Sequence, residues 1–509
     1  MFDSKIMRPA ALAVAIAMGL SGCATIDQTL GGNSSEFACG VGAVAGAVLV
    51  GGIVAASGGN SKSIAQGAAA GGAIGCASVY FYKQRVDRLK EVAAQQGLEA
   101  QVREIELVDP GTGKKQAVGI EAQVQVQEMF PSGSSTLTAE GHRKLTALAL
   151  EFARSRGASE PGKAPKKVLV VGHTDATGGA ELNQRLSEAR ARAVGDILAA
   201  AGIAKQDIYF QGAGASRPVA DNSTVEGRLQ NRRVEFVEVE NEAVLVKRVR
   251  DERSNTKYLA HGTVTSAKPA APATAVGKSQ PATQPKSGTA ASTNERKARS
   301  PVPPSVQSEA TVVRLDGKGS IDFGGSPVTS TQSAIAASVA PKQPTFALIS
   351  SAYASAPVTS CLGDMPRVEG EVKNLETGTT LKDFSTKDFF PGLNGQVWAS
   401  RVNGHVATVG PVGVLRDSAQ VAVAPNMQFI SNYASSAKQQ SPLYKAVANT
   451  YEGETQVLYR VFAIDQGSSP VSCMDIVFDK RAGSAVAGEI YYPNKGDAYV
   501  AQFKPQLRR

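Results

Sequence analysis

At 509 residues the chain exceeds what one ordinary hydrophobic core organises, so several folded units joined by linkers are expected. Hydrophobic residues at 42% and charged residues at 19% suit globular parts, while 51 Gly and 25 Pro call for loops and low-complexity stretches. The net charge of +9 favours anionic surroundings, but Lys and Arg are scattered rather than gathered with aromatics, which speaks against nucleic acid as a partner.

Lys5 and Arg8 precede an uncharged apolar run, Ala10 to Leu20, of the length of a signal-peptide core and too short to span a bilayer. It ends in Leu20-Ser21-Gly22-Cys23, which resembles a bacterial lipobox. That resemblance implies a signal peptide over 1–22, lipid on Cys23 and a tether over 23–36. Ala24, where lipoproteins of the inner membrane often carry Asp, implies the outer membrane, with the chain facing the periplasm. Of the five cysteines, Cys23 takes lipid, leaving Cys39 with Cys76 and Cys361 with Cys473 as candidate disulfides in an oxidising compartment. Burial as free thiols is the alternative for Cys39 and Cys76. No CxxC occurs, which disfavours thiol redox chemistry and structural zinc.

Residues 37–82 hold two uncharged stretches rich in Gly, Ala and Val. Gly42 and Gly46, then Gly67, Gly71 and Gly75, recur four apart on one helical face, where missing side chains let a second helix approach. A helical hairpin turning at Ser57–Ser63 is expected, resembling the glycine-zipper segment of envelope lipoproteins. It either inserts in the membrane or packs tightly near the lipid surface, since each stretch is barely long enough to span. Residues 83–116 continue as a helical spacer, with Val86, Leu89, Val92 and Ala93 on one face.

A compact domain is expected over 117–241. Ile120, Ala122, Val124 and Val126 alternate with polar residues, the mark of a half-buried strand. A helix from about Thr138 turns Leu145, Leu148, Ala149 and Phe152 inward, and a second buries Leu182, Leu186, Ala189, Ala193 and Ile197. "KVLVVGH", "DIYFQGAG" and "NRRVEFVEVE" supply further strands. Strands alternating with helices predict an α+β fold, a mixed sheet with helices on one face. Residues 242–345 are rich in Ala, Pro, Ser, Thr and Lys and read as a flexible, disordered linker. Aromatics return over 346–509, and runs such as "GQVWASRV", "TQVLYRVFAI" and "AGEIYYPN" predict a β-rich domain, its ends stapled by Cys361 and Cys473.

Catalytic constellations are scarce. His142, His173, His261 and His405 lie in separate segments, and His173 with Asp175 supplies only two ligands of a metal site, so His173 reads as structural. No GxSxG elbow and no P-loop occur, and no cofactor is indicated. What stands out is "GHTDATGGAELNQRLSEARARAV" from Gly172 to Val194. Asp175 follows a buried strand, where α/β folds place ligand contacts, and can accept from an ammonium group. Arg190, inside the next helix, carries a fork suited to a carboxylate. The two form either an internal salt bridge or the halves of a site for an amino-acid head group.

Taken together, "FPSGSSTL", "VVGHTDATGGAELNQRLSEARARAV" and "GAGASRPVADNSTVEGRLQNRRVE" resemble, in order and spacing, the OmpA-like peptidoglycan-binding domain over about 118–240. The resemblance implies a non-enzymatic domain that grips the ammonium and carboxylate of diaminopimelate in the stem peptide. Asp175 would take the ammonium and Arg190 the carboxylate, Thr177 and Asn183 would add loop contacts, and Arg232 would close the pocket. Arg233 is expected to pair within the fold, Asn231 to fix the loop before the last strand, and Asn222 and Arg228 to brace the long connection. One departure is Pro131 after Phe130, where many relatives carry Asp. The resulting reading is an outer-membrane lipoprotein that tethers that membrane to peptidoglycan. Its rival is a wall-anchored component of an envelope machine, for secretion or conjugation, whose residues 346–509 dock a protein partner. A wall-modifying enzyme would need chemistry from Cys361, Cys473 or His405, which nothing in the sequence pairs.

Overall fold

The computed structural model describes residues 76–108, 115–126, 128–156, 164–262, 321–340, 358–382, 387–464 and 468–508. Expectations for the signal peptide, Cys23, the glycine-rich stretches up to residue 75, and Cys39 with any bond to Cys76, lie outside them. No described helix is long and apolar enough to cross a membrane.

Five helices and five strands build the first domain. They are α1 (Cys76–Gln95), β1 (Ala100–Val108), β2 (Lys115–Gln125), α2 (Ala139–Ser155), β3 (Lys167–Gly172), α3 (Ala180–Ala200), β4 (Ile208–Gly212), α4 (Val225–Asn231), β5 (Arg233–Val239) and α5 (Glu242–Arg253). The sheet runs β1-β2-β5-β3-β4 and is completed by the two-residue strand Lys373–Asn374 on β4. Only β3 and β4 are parallel. Local chemistry sets the helix starts: Thr138 Oγ1 accepts from Gly141 N at 2.9 Å, and Asn241 Oδ1 from Val244 N at 3.0 Å. The apolar stripe Leu145, Leu148, Ala149 and Phe152 of α2 joins Ile120, Ala122, Val124, Val170 and Phe236 in one core.

Several expectations change. The spacer over 83–116 is not a free rod. α1 buries Tyr82, Val86, Leu89 and Ala93 in that core, Gly97 at φ +62° ends it, and β1 then pairs antiparallel with β2. β1 carries Arg103, Glu104 and Glu106 among its nine residues, and such charge masks a strand signal. Helices also cover both sheet faces, because Val244, Leu245 and Val249 of α5 pack with Leu169, Val171 and Val237 on the far side. Finally, α3 is rotated from the expected face. Asn183, Ser187, Arg190, Ala191, Val194, Ile197 and Leu198 are buried, while Leu182 is 58% exposed. Gly172 and Gly212 cause this, since a Cβ on either would clash with the α3 backbone at Ser187 or Gln184, so the strand ends sit directly under the polar side of the helix.

The linker assigned to 242–345 is also shorter than its composition implies. α5 folds onto the first domain, while Tyr258 and Leu259 of Thr256–Ala260, with Phe323, Val328, Ala336 and Val339, pack into the second. A few well-placed apolar residues in a polar stretch suffice when a surface is already there to receive them.

The later region is β-rich. β6 (Phe389–Val402), β7 (His405–Leu415), β8 (Asn426–Ser431), β9 (Tyr444–Glu452), β10 (Gln456–Ala463), β11 (Cys473–Asp479), β12 (Ala485–Asn494) and β13 (Asp497–Phe503) form an antiparallel meander in sequence order. Gln506–Leu507, just past β13, pairs back onto Trp398 and Ala399 of β6, so the sheet curls round to meet itself. Its interior is filled by side chains including Trp398, Phe429, Tyr459, Phe478 and Tyr492.

Candidate binding site

Asp175 lies just beyond β3. His173 N donates to Arg233 O at 3.0 Å and Thr174 N to Gly214 O at 3.0 Å, so the loop is clamped between the start of β5 and the turn after β4. Asp175 is 8% exposed. Its Oδ1 accepts from Thr177 N at 2.9 Å, an Asx turn, and its Oδ2 is paired with Arg232 Nη1. Asn183 donates through Nδ2 to Thr177 O at 3.0 Å and Asp175 O at 3.4 Å, fastening the loop to α3.

Two turns along α3, Arg190 donates Nε to Ser134 O at 2.9 Å and Nη2 to Pro131 O at 3.4 Å, with its guanidinium 5.1 Å from the Phe130 ring centroid. The structure gives no direct ion pair between Arg190 and Asp175, although the two lie within electrostatic reach. Burial, then Arg232, pulls the Arg190 guanidinium below its ordinary value, while Asp175 pushes it up. Both guanidinium groups thus act on one carboxylate, Arg232 by contact and Arg190 through space. The loop with Pro131 keeps a role through its carbonyls, which aim Arg190.

The braces follow. Asn231 Oδ1 accepts from Val219 N at 2.8 Å and Ala220 N at 3.1 Å, and its Nδ2 donates to Asn222 Oδ1 at 2.9 Å. Asn222 Oδ1 also accepts from Ala176 N at 3.0 Å, beside Asp175, and Arg228 Nη1 donates to Asn222 O at 2.9 Å. Arg233 pairs with Glu235 Oε1 at 2.7 Å, and His173 Nε2 lies 3.4 Å from the same oxygen. Burial, reinforced by Arg233, holds the His173 imidazole down at about 4, so it is neutral. Sequence reasoning missed Arg217 and Glu369, joined across the two domains at 2.9 and 2.7 Å.

Among the described residues no three His, Cys, Asp or Glu side chains are grouped as metal ligands would be. Cys361 and Cys473 are joined as a disulfide, and His405 Nδ1 accepts from Asn432 N at 3.1 Å. A cleft of about 820 Å³ opens in the β-rich domain beside Arg401, Asn403 and Glu489, far in sequence from Asp175. At Asp175, by contrast, cationic and anionic side chains converge on clamped backbone.

The fold and the site define an OmpA-family domain: residues 129–232 match the OmpA family, and the chain carries that domain. Over 108 residues it is 42% identical to the probable lipoprotein YiaD of Escherichia coli (strain K12), covering 21% of this chain and 45% of that one. Over 71 residues it is 46% identical to the peptidoglycan-binding protein ArfA of Mycobacterium tuberculosis, covering 14% and 22%. The chain therefore spans less than half the length of these curated relatives. The cell wall anchor of the T6SS from Pseudomonas aeruginosa is 26% identical, covers 31% of this chain and 97% of that chain, and has a TM-score of 0.24.

Proposed function

We propose that this chain binds peptidoglycan non-covalently through diaminopimelate and, lipidated on Cys23, tethers the outer membrane to the cell wall. The observation that carries the reading is the convergence of Asp175, Arg190 and Arg232 beyond the end of β3. A diaminopimelate head group offers an ammonium to Asp175 and a carboxylate to Arg190. Arg190 Nε and Nη2 are spent on the carbonyls of Ser134 and Pro131, which presents Nη1 in a fixed orientation toward an incoming carboxylate. Asn183 and Thr177 hold the loop that carries Asp175, and Arg232 holds the carboxylate itself. The family match over 129–232 and the name of ArfA support the wall as ligand, and the name of YiaD supports lipidation.

Titration calorimetry of the detergent-purified protein with a diaminopimelate stem peptide and its lysine analogue tests this. The analogue lacks the distal carboxylate, and binding about tenfold weaker or worse is expected for it. Equal binding of both peptides, or of neither, defeats the proposal.

A second reading, in which wall binding positions a working C-terminal domain within an envelope machine, is favoured by one observation. The β-rich domain is not merely linked to the first but bonded to it, through Lys373–Asn374 on β4 and Arg217 to Glu369.

A further inference from the structure

One segment, residues 358–375, is bonded to both domains. At its start Cys361 is bonded to Cys473 of β11, and Cys361 N donates to Asp475 Oδ2 at 3.2 Å. Asp364 then meets Arg460, wholly buried on β10, at 2.8 Å, while Tyr451 OH donates to the same carboxylate oxygen at 2.6 Å. Arg460 also takes Asp475 at 2.7 and 3.0 Å. Charges so deeply buried cost several kcal/mol each unless paired, so this end of the segment is held in one geometry.

The other end belongs to the first domain. Glu369 receives Arg217 in a two-pronged bond, and Ser216 Oγ accepts from Val368 N at 3.2 Å. Gly370 N donates to Gly212 O at 2.7 Å, Lys373–Asn374 adds a strand to β4, and Leu375 enters the core that α3 also fills. Lys373 Nζ reaches Glu188 of α3 at 2.7 Å, on the helix that carries Asn183 and Arg190. Arg217 in turn accepts through its carbonyl from Arg233 Nη2 at 3.1 Å, next in sequence to the Arg232 that holds Asp175.

We propose that residues 358–375 form a coupling strap that fastens the β-rich domain to the wall-binding domain as one body, with Arg217 and Glu369 as the pair that positions the turn behind Asp175. The strap covers the open edge of β4, which would otherwise offer unpaired backbone to a foreign strand. Its disulfide secures the β-rich side and its ion pair the other. Load on the wall site therefore passes straight into the β-rich domain and does not first stretch a linker. The positioning role rests on the peptidoglycan reading; the fastening does not.

Hydrogen exchange of the detergent-purified full chain, wild type against Glu369→Gln and Glu369→Asp, tests the fastening. The Gln variant should speed exchange about tenfold or more at 209–217 and 368–375 while β2, β5, β10 and β11 keep their protection, with the Asp variant in between. Lys373→Glu, which sets two carboxylates against each other at a half-buried site, provides a second perturbation should Glu369→Gln not fold. Unchanged exchange in that region overturns the strap. Stem-peptide affinity tests the positioning: Glu369→Gln should weaken it about three- to tenfold, partly restored in Glu369→Asp. Loosened exchange with unaltered affinity overturns the positioning role and leaves the fastening. A wild type that binds no stem peptide overturns the peptidoglycan reading and the positioning with it, while the exchange result still decides the fastening.

Discussion

Asp175 closes onto Arg232, 57 positions downstream, and not onto Arg190, the arginine nearer in sequence. The carboxylate is therefore steadied by one cation while another stands by with its fork aimed by the Ser134 and Pro131 carbonyls. Asp175→Asn keeps the shape of the Asx turn and removes the charge. Stem-peptide binding by calorimetry should fall about tenfold or more. Stability should change by no more than about 1–2 kcal/mol in a urea melt, because the pair is partly solvated. Unimpaired binding would leave Asp175 as a structural brace.

Arg190→Lys retains the charge but not the fork. One ammonium cannot donate to Ser134 O, Pro131 O and a ligand carboxylate in the same directions. Binding of the diaminopimelate peptide should drop to nearly that of the lysine peptide, so the variant loses selectivity as well as affinity. If selectivity survives in the variant, Arg190 does not read the carboxylate.

Cys361 and Cys473 close a loop across a separation of 112 residues. Replacing both by Ser should destabilise the β-rich domain by about 2–4 kcal/mol, chiefly through the freed unfolded chain. Calorimetric melting should show one transition shifted down as a whole, since the segment that carries Cys361 also bonds to the first domain. A transition of the β-rich domain that moves alone would show that the two domains unfold separately.

Gly172 lies where a Cβ would meet the carbonyl of Ser187. Gly172→Ala should lift α3 off β3 and cost about 1–3 kcal/mol, with Asn183 and Arg190 displaced together. Stability by urea and affinity by calorimetry should fall in parallel. A neutral substitution would mean the helix is not seated as tightly as the backbone contact implies.

Acid should reveal two opposed groups. Above pH 6.5 His173 is neutral folded and unfolded. Between 6.5 and about 4 only the unfolded imidazole takes a proton, so acidification there costs up to about 1.4 kcal/mol per pH unit. Burial lifts the Glu240 carboxyl to about 7, so from about 7 down to 4.5 its folded form holds a proton that the unfolded form lacks, and acidification stabilises. The two nearly cancel in the wild type. Glu240→Gln should uncover a loss of roughly 2 kcal/mol between pH 6.5 and 5 in urea melts, from the unopposed His173 titration. A flat profile in the variant would show that His173 is protonated in the folded state.

Much of the first domain was legible in the chain because its signals are local. The alternation of Ile120, Ala122 and Val124, the stripe from Leu145 to Phe152 and the turn chemistry around Asp175 each depend on neighbours within a few positions. The OmpA-like motifs named the residues of the recess. They did not say which arginine Asp175 would choose, because that depends on where the start of β5 crosses the loop after β3.

What the sequence by itself determined is therefore the α+β character of the first domain, the β-rich character of the second and the family motifs whose residues meet beyond β3. The tertiary structure alone decided that α3 turns Asn183, Ser187 and Arg190 inward while Leu182 faces out, since that rotation is set by Gly172 and Gly212 pressing on the helix from other segments. It alone decided, too, that residues 358–375 belong to both domains. Arg217 and Glu369 are 152 positions apart, and no local pattern marks two charges as partners until the fold takes both out of water.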